Sequence, residues 1–140
     1  KMTNIQAAIG YAQLKNSNQF LKKRIVIEKH YSKKFRKIKC FVRQKVLNNH
    51  KRTEWLYTMI LEKCDISRLM KYLQKNNIET RRVFYPFHQM PIYKKYIPKK
   101  FDKSNSNYVF KYGLSLPTFF ELNRKQMDKV VNKIMLFLKT

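Results

Sequence analysis

The stretch Ile78 to Tyr96, IETRRVFYPFHQMPIYKKY, concentrates the side chains of this sequence that are able to do chemistry. Adjacent Arg81 and Arg82 offer planar guanidinium forks that match a carboxylate or a phosphate, and His88 offers an imidazole. Phe84, Tyr85, Phe87 and Tyr93 surround them, with Pro86 and Pro91 setting fixed bends. A loop that merely connects two elements has little use for so much ring surface. The plain alternative is that these rings cap a small core.

The elements that must hold this loop follow from pattern. Ile78, Thr80 and Arg82 alternate with Glu79, Arg81 and Val83, which predicts a strand over Ile78 to Phe84, ended by Pro86. Before it, Asp65 is an N-cap for a helix over Ile66 to Lys75, with Ile66, Leu69, Met70 and Leu73 as its buried stripe. Asn76 and Asn77 end that helix, Asn77 being a residue that tolerates positive φ. Trp55 to Leu61 is a continuous apolar, β-prone run, read as a strand covered on both sides with Trp55 in the core. Strand, helix and strand then present the Tyr85 to Tyr96 loop at their end.

Toward the N-terminus, Thr3 and Gln6 have capping-box spacing, and Ile5, Ala8, Ile9 and Ala12 share one face, predicting a helix over Asn4 to Leu14. Gly10 in mid-helix costs about 1 kcal/mol against alanine, which points to close backbone packing as its reason. A longer basic helix is expected from Asn18 to Lys37, then a weak strand from Cys40 to Val46 and a turn at Asn48-Asn49-His50-Lys51. Lys94 to Ser106 reads as an exposed connection, Asn107 to Tyr112 as a short helix closed by Gly113, and Leu114 to Leu116 as a brief strand stopped by Pro117. Asn123 with Gln126 caps a last helix marked by Met127, Val130, Val131, Ile134 and Leu138. The sum is an α+β fold: one domain with a small, mostly antiparallel sheet of three or four strands flanked by four or five helices.

Five segments in order, MTNIQAAIGYAQL, EWLYTMIL, NIETRRVFYPFHQMPIY, GLSLPT and a final amphipathic helix, resemble the C-terminal part of the DegT/DnrJ/EryC1/StrS aminotransferases. Those enzymes use pyridoxal phosphate to aminate nucleotide-linked keto-sugars. The ETR-x-x-FYP-x-H wording is most similar to members that aminate C4 of a 4-keto-6-deoxyhexose, such as perosamine synthases. The resemblance implies that the 140 residues are the small C-terminal domain of a longer enzyme, in which glutamate loads the cofactor and the amine passes to the sugar. It also implies a cytoplasmic homodimer serving surface polysaccharide synthesis.

Transamination needs a lysine for the Schiff base, an acid at the pyridinium nitrogen and a phosphate cup rich in backbone amides. No lysine here sits in the glycine-rich setting of the family's aldimine lysine, and the chain has only two glycines. The cofactor would then be held mainly by the preceding domain, and this chain alone would be inactive. Carried over position by position, Lys1, just before MTN, would reach the cofactor phosphate of the other subunit. Arg81 would pair with the amino donor's carboxylate or a diphosphate, Arg82 being equally eligible if the strand faces the other way, and Tyr85 and His88 would line the sugar-nucleotide pocket.

Composition narrows the rivals. A chain of 140 residues buries roughly 68–70% of its unfolded surface, enough for one core. The longest apolar run is too short to cross a bilayer, and no targeting segment is visible. Cys40 and Cys64 lie far apart, which fits a reducing compartment, and the histidines are scattered, so neither a disulfide framework nor a metal site is indicated. A net charge of +24 attracts polyanions, but lysine outnumbers arginine 24 to 8, and nucleic-acid readers lean on arginine. A basic nucleic-acid-binding module, supported by mixtures such as Tyr93 to Phe101, and an inactive truncated remnant remain the alternatives.

Overall fold

The computed structural model describes residues 1–50 and 52–139. Lys51, the last residue of the turn expected after Asn48, lies outside the described residues. Five α-helices and four strands follow in the order α1 (Asn4–Lys15), α2 (Ser17–Phe35), β1 (Phe41–Val42), β2 (Tyr57–Leu61), α3 (Ile66–Lys75), β3 (Arg81–Arg82), α4 (Ser104–Tyr112), β4 (Gly113–Leu116) and α5 (Arg124–Phe137). Two 3-10 turns, Phe87–Gln89 and Pro91–Tyr96, lie between β3 and α4. The sheet runs β1-β2-β4-β3 with every neighbour antiparallel, so β2 and β3 are parallel to each other across β4, with α3 as their crossover. This is the α+β architecture expected from the sequence.

The core lies on one face of the sheet. Tyr57, Met59 and Leu61 of β2 and Leu114 and Leu116 of β4 pack against Ile27, Tyr31 and Phe35 of α2, Leu69 and Leu73 of α3, and the stripe Met127, Val130, Val131 and Ile134 of α5. Tyr31 is fully buried, yet its hydroxyl donates to the Pro117 carbonyl at 3.2 Å, so the polar end of the ring is satisfied. On the other face, Thr58 and Ser115 share a hydrogen bond of 2.9 Å between the two central strands.

The expected helix ends hold. Thr3 with Gln6 and Asn123 with Gln126 form complete capping boxes, and Asp65 accepts from the Arg68 amide. Asn77 stands at φ 58°, its amide bonded to the Gln74 carbonyl and that of Ile78 to the Leu73 carbonyl, which is a Schellman closure of α3.

Several expectations are corrected. β2 is covered on one side only: burial alternates along Tyr57 to Leu61, and Trp55 lies ahead of the strand, 58% exposed. β3 pairs over two residues rather than seven, because Ile78 spends its amide on closing α3 and Pro86 limits the other end. The weak strand expected from Cys40 shrinks to Phe41–Val42, and α4 begins at Ser104, earlier than Asn107. α1 buries none of its residues and a Cβ on Gly10 would meet nothing within 4 Å, so close packing inside this chain does not explain that glycine. Gly113 does not close α4 with a left-handed turn; its φ is −88° and it starts β4 directly. What it supplies is space, since a Cβ there would sit 2.3 Å from the Val109 carbonyl oxygen and 2.4 Å from Val83 Cγ2.

Two substitutions test these junctions. Asn77→Gly is expected to leave the melting temperature unchanged or slightly raised, whereas Asn77→Val is harmful; equal values for the two would remove the closure assigned to Asn77. Gly113→Ala should cost about 1–3 kcal/mol in urea unfolding through overpacking against backbone, and an unaltered unfolding midpoint would contradict the close approach.

Candidate functional site

β3 hands the chain to the aromatic loop, and its register decides where the two arginines go. Arg81 lies opposite Ser115 and Arg82 opposite Leu114, so they leave on opposite faces of the sheet. Arg82 is fixed: its guanidinium lies over the Phe110 ring at 5.2 Å and donates to the Phe110 carbonyl at 3.3 Å and to Ser67 Oγ at 2.7 Å. Tyr85 packs edge-on against the same ring, centroids 5.0 Å apart. Phe110 therefore serves as a common wall for Arg82 and Tyr85.

Pro86 then turns the chain into the 3-10 turn of Phe87–Gln89. His88 Nε2 lies 2.8 Å from Asn107 Oδ1, which also accepts from Gln89 Nε2 at 2.7 Å. Asn107 and Phe110 are three residues apart on α4 and so share a face. One helix thus positions Arg82, Tyr85, His88 and Gln89 together. The two helper residues were within reach of sequence reading, because their i, i+3 spacing falls inside the helix expected over Asn107 to Tyr112. Beyond them, Phe87 packs on Tyr93 at 5.3 Å while Phe84, Phe87, Ile92 and Tyr96 stay largely exposed.

Arg81 is not part of that cluster. Its side chain is 78% exposed, 3.9 Å from Glu79, and lines a groove of about 580 Å³ with Arg24, Trp55, Thr118 and Lys129. The chain at 78–80, which lies before the two ladder pairs of β3 with β4, lines the same groove. Trp55 borders it, and its backbone carbonyl accepts from Arg24 and from Thr118 Oγ1. Lys1 is exposed and makes none of these contacts.

Other charged clusters tie elements together. Asp128 bridges α5 to α2 through Lys34 at 3.2 Å and His30 at 3.0 Å, and the hydrogen bond from Lys34 holds its carboxyl below the usual range. Arg43 joins Glu28 of α2 to Glu54, whose carboxyl is raised by burial and by the neighbouring Glu28. Neither glycine can open a phosphate-binding loop, Gly10 being mid-helix and Gly113 wedged under Val83. The described residues therefore do not make a complete pyridoxal-phosphate site.

The sequence pattern of the DegT/DnrJ/EryC1/StrS aminotransferase family matches residues 1–135. The chain belongs to this family. Among its relatives, the GDP-perosamine synthase of Vibrio cholerae is 31% identical over 137 residues, covering 96% of this chain and 37% of that protein. The dTDP-4-amino-4,6-dideoxy-D-glucose transaminase of Shigella dysenteriae is 29% identical over 140 residues, covering 96% of this chain and 37% of that one. In fold, the chain superposes on S. venezuelae DesV, solved in complex with a ketimine intermediate, with a TM-score of 0.89 at 18% identity, over 100% of this chain and 38% of DesV. This DegT-family chain thus spans little more than a third of the length of its relatives.

Cys64 is held as a thiol and not a thiolate: burial pushes it up to about 11, with Cys40 and Asp65 adding to the shift. A raised folded value favours the protonated form, so this contribution to stability is present below the unfolded value and is lost as pH climbs from about 9 toward 11. At pH 8 Cys64 should alkylate far more slowly in the native chain than in urea, with the native rate rising steadily up to pH 11. Equal rates in the two states would contradict its burial.

Proposed function

We propose that this chain is the C-terminal part of a pyridoxal-phosphate aminotransferase that moves an amino group from glutamate to a nucleotide-linked keto-sugar, at C4 of a 4-keto-6-deoxyhexose. The observation that carries this reading is family membership along residues 1–135, supported by relatives that include GDP-perosamine synthase. In this proposal the cofactor chemistry belongs to a preceding domain that supplies the lysine, acid and phosphate cup; pyridoxal phosphate, when bound there, acts as the electron sink for amino transfer. Lys1 reaches toward the cofactor phosphate of a second subunit in a homodimer. The enzyme works in the cytoplasm, for surface polysaccharide or glycan synthesis; no described helix is long and apolar enough to cross a membrane.

Roles for the remaining residues are part of the same proposal. Tyr85 and His88, both supported by α4, line the sugar-nucleotide pocket. Arg81, its guanidinium exposed beside a single carboxylate, is free to pair with the glutamate carboxylate or a diphosphate, whereas Arg82 is committed to Phe110 and Ser67. The cationic excess of +24 gives salt-sensitive, sequence-independent polyanion binding as a by-product of composition.

The test uses the full-length protein, with the glutamate and sugar half-reactions measured separately. His88→Ala is expected to slow the sugar half-reaction roughly ten- to a hundredfold, the worth of a hydrogen bond to a charged or strongly polar group, and to leave the glutamate half-reaction nearly intact. Parallel decline of both with a lower melting temperature would make His88 a loop support only. An unchanged sugar step on folded protein would remove it from the pocket.

A further inference from the structure

We propose that Asn107 is a positioning residue that fixes the tautomer of His88, so that His88 accepts a hydrogen bond from a sugar hydroxyl and does not donate one to the diphosphate. This rests on the reading of the chain as part of a nucleotide-sugar aminotransferase. A side-chain amide oxygen accepts and does not donate, and Asn107 Oδ1 lies 2.8 Å from His88 Nε2 and 2.7 Å from Gln89 Nε2, so its two lone pairs serve two N–H donors. The neutral imidazole then carries its proton on Nε2. Nδ1, which has no hydrogen-bond partner among the described residues, is left as a bare acceptor.

A ring bound this way has one thing to offer a ligand. Nδ1 can accept a hydrogen bond from a hydroxyl or an amine, whereas phosphate and carboxylate oxygens, being acceptors, find no donor there while the ring is neutral. The anionic part of the substrate must therefore be met by other groups, and His88 reads the sugar ring. Around it, Pro86 starts the 3-10 turn, the Phe101 ring centroid stands 6.4 Å away, and Asn107 sits on the α4 that runs without a linker into β4. Gln89 matters as the second donor, because it engages the other lone pair of Oδ1 and so holds the amide oxygen toward His88. The mirror arrangement, in which the Asn107 amide is turned so that Nδ2 donates into Nε2, would put the imidazole proton on Nδ1 and reverse the chemistry.

Nitrogen NMR of the His88 ring in this chain at pH 8 tests the tautomer without any substrate. The expected spectrum has a protonated Nε2 and an unprotonated Nδ1, with the Nε2 proton visible in water. Asn107→Ala should speed exchange of that proton by roughly tenfold or more, as expected when a hydrogen bond is removed, and Asn107→Asp, which keeps an acceptor oxygen, should restore it. A ring protonated on Nδ1, or identical spectra for the wild type and Asn107→Ala, overturns the proposal. In the full-length protein, Asn107→Ala should slow the sugar half-reaction roughly tenfold, with recovery in Asn107→Asp and no change in the glutamate half-reaction. An Nε2-protonated ring with an unaltered sugar step would overturn the hydroxyl contact while leaving the aminotransferase reading standing. Absence of any amino transfer by the wild-type full-length protein would instead sink that reading, with the ring spectra unaffected.

Discussion

The structure depends on a junction with no linker. α4 ends at Tyr112 and β4, a central strand of the sheet, begins at Gly113, where only a hydrogen atom fits between the Val109 carbonyl and Val83. Because β4 pairs with both β2 and β3, the helix that carries Asn107 and Phe110 is held at a fixed angle to the most constrained strand of the fold. The loop after β3 has only two ladder pairs behind it, so its geometry comes from α4. Rigidity reaches the candidate site from the core through that one helix, and a substitution at Gly113 would act on His88 and Tyr85 without touching either.

The helix layer completes the other half of the arrangement. α2, α3 and α5 cover the face of the sheet away from the Thr58–Ser115 pair, and the aromatic run Tyr31, Phe35 and Tyr57 fills its centre. The charged ties between α2 and its neighbours, Asp128 with Lys34 and Glu28 with Arg43, sit at the rim of that layer and consume half-buried acids in a chain that has only eight. Most of the remaining cations have no acid to meet. Self-repulsion among them is one cost of a composition with 24 lysines, offset by the core rather than by ion pairs.

What the sequence made legible was local. Capping boxes at Thr3 and Asn123, the N-cap at Asp65, the left-handed Asn77 and the stripes of α3 and α5 each depend on residues within a turn or two of one another, and each is where pattern places it. The errors share a cause too. Trp55 is core by residue type, but it lies ahead of the strand, its backbone carbonyl bonded to Arg24 and Thr118, which are distant in sequence. The length of β3 was set by a competition for the Ile78 amide, which alternation does not reveal. In the site, the loop residues were visible by their chemistry, whereas the pairing of His88 with Asn107, and of Arg82 and Tyr85 with Phe110, arises only when α4 is folded back beside the loop.

α1 stands apart from all of this. Its twelve residues bury no side chain, and Ile5, Ile9, Tyr11 and Leu14 remain at least 60% exposed. A helix of that length is marginal in water by itself, since propagation over so few residues barely repays nucleation. Its capping box and its continuation into α2 are then its main supports, and α1 itself packs nothing against the sheet. The amide hydrogens of α1 should accordingly trade with solvent through local fraying, at rates that do not follow global unfolding, so that this segment acts as a built-in gauge of whatever surface comes to lie against it.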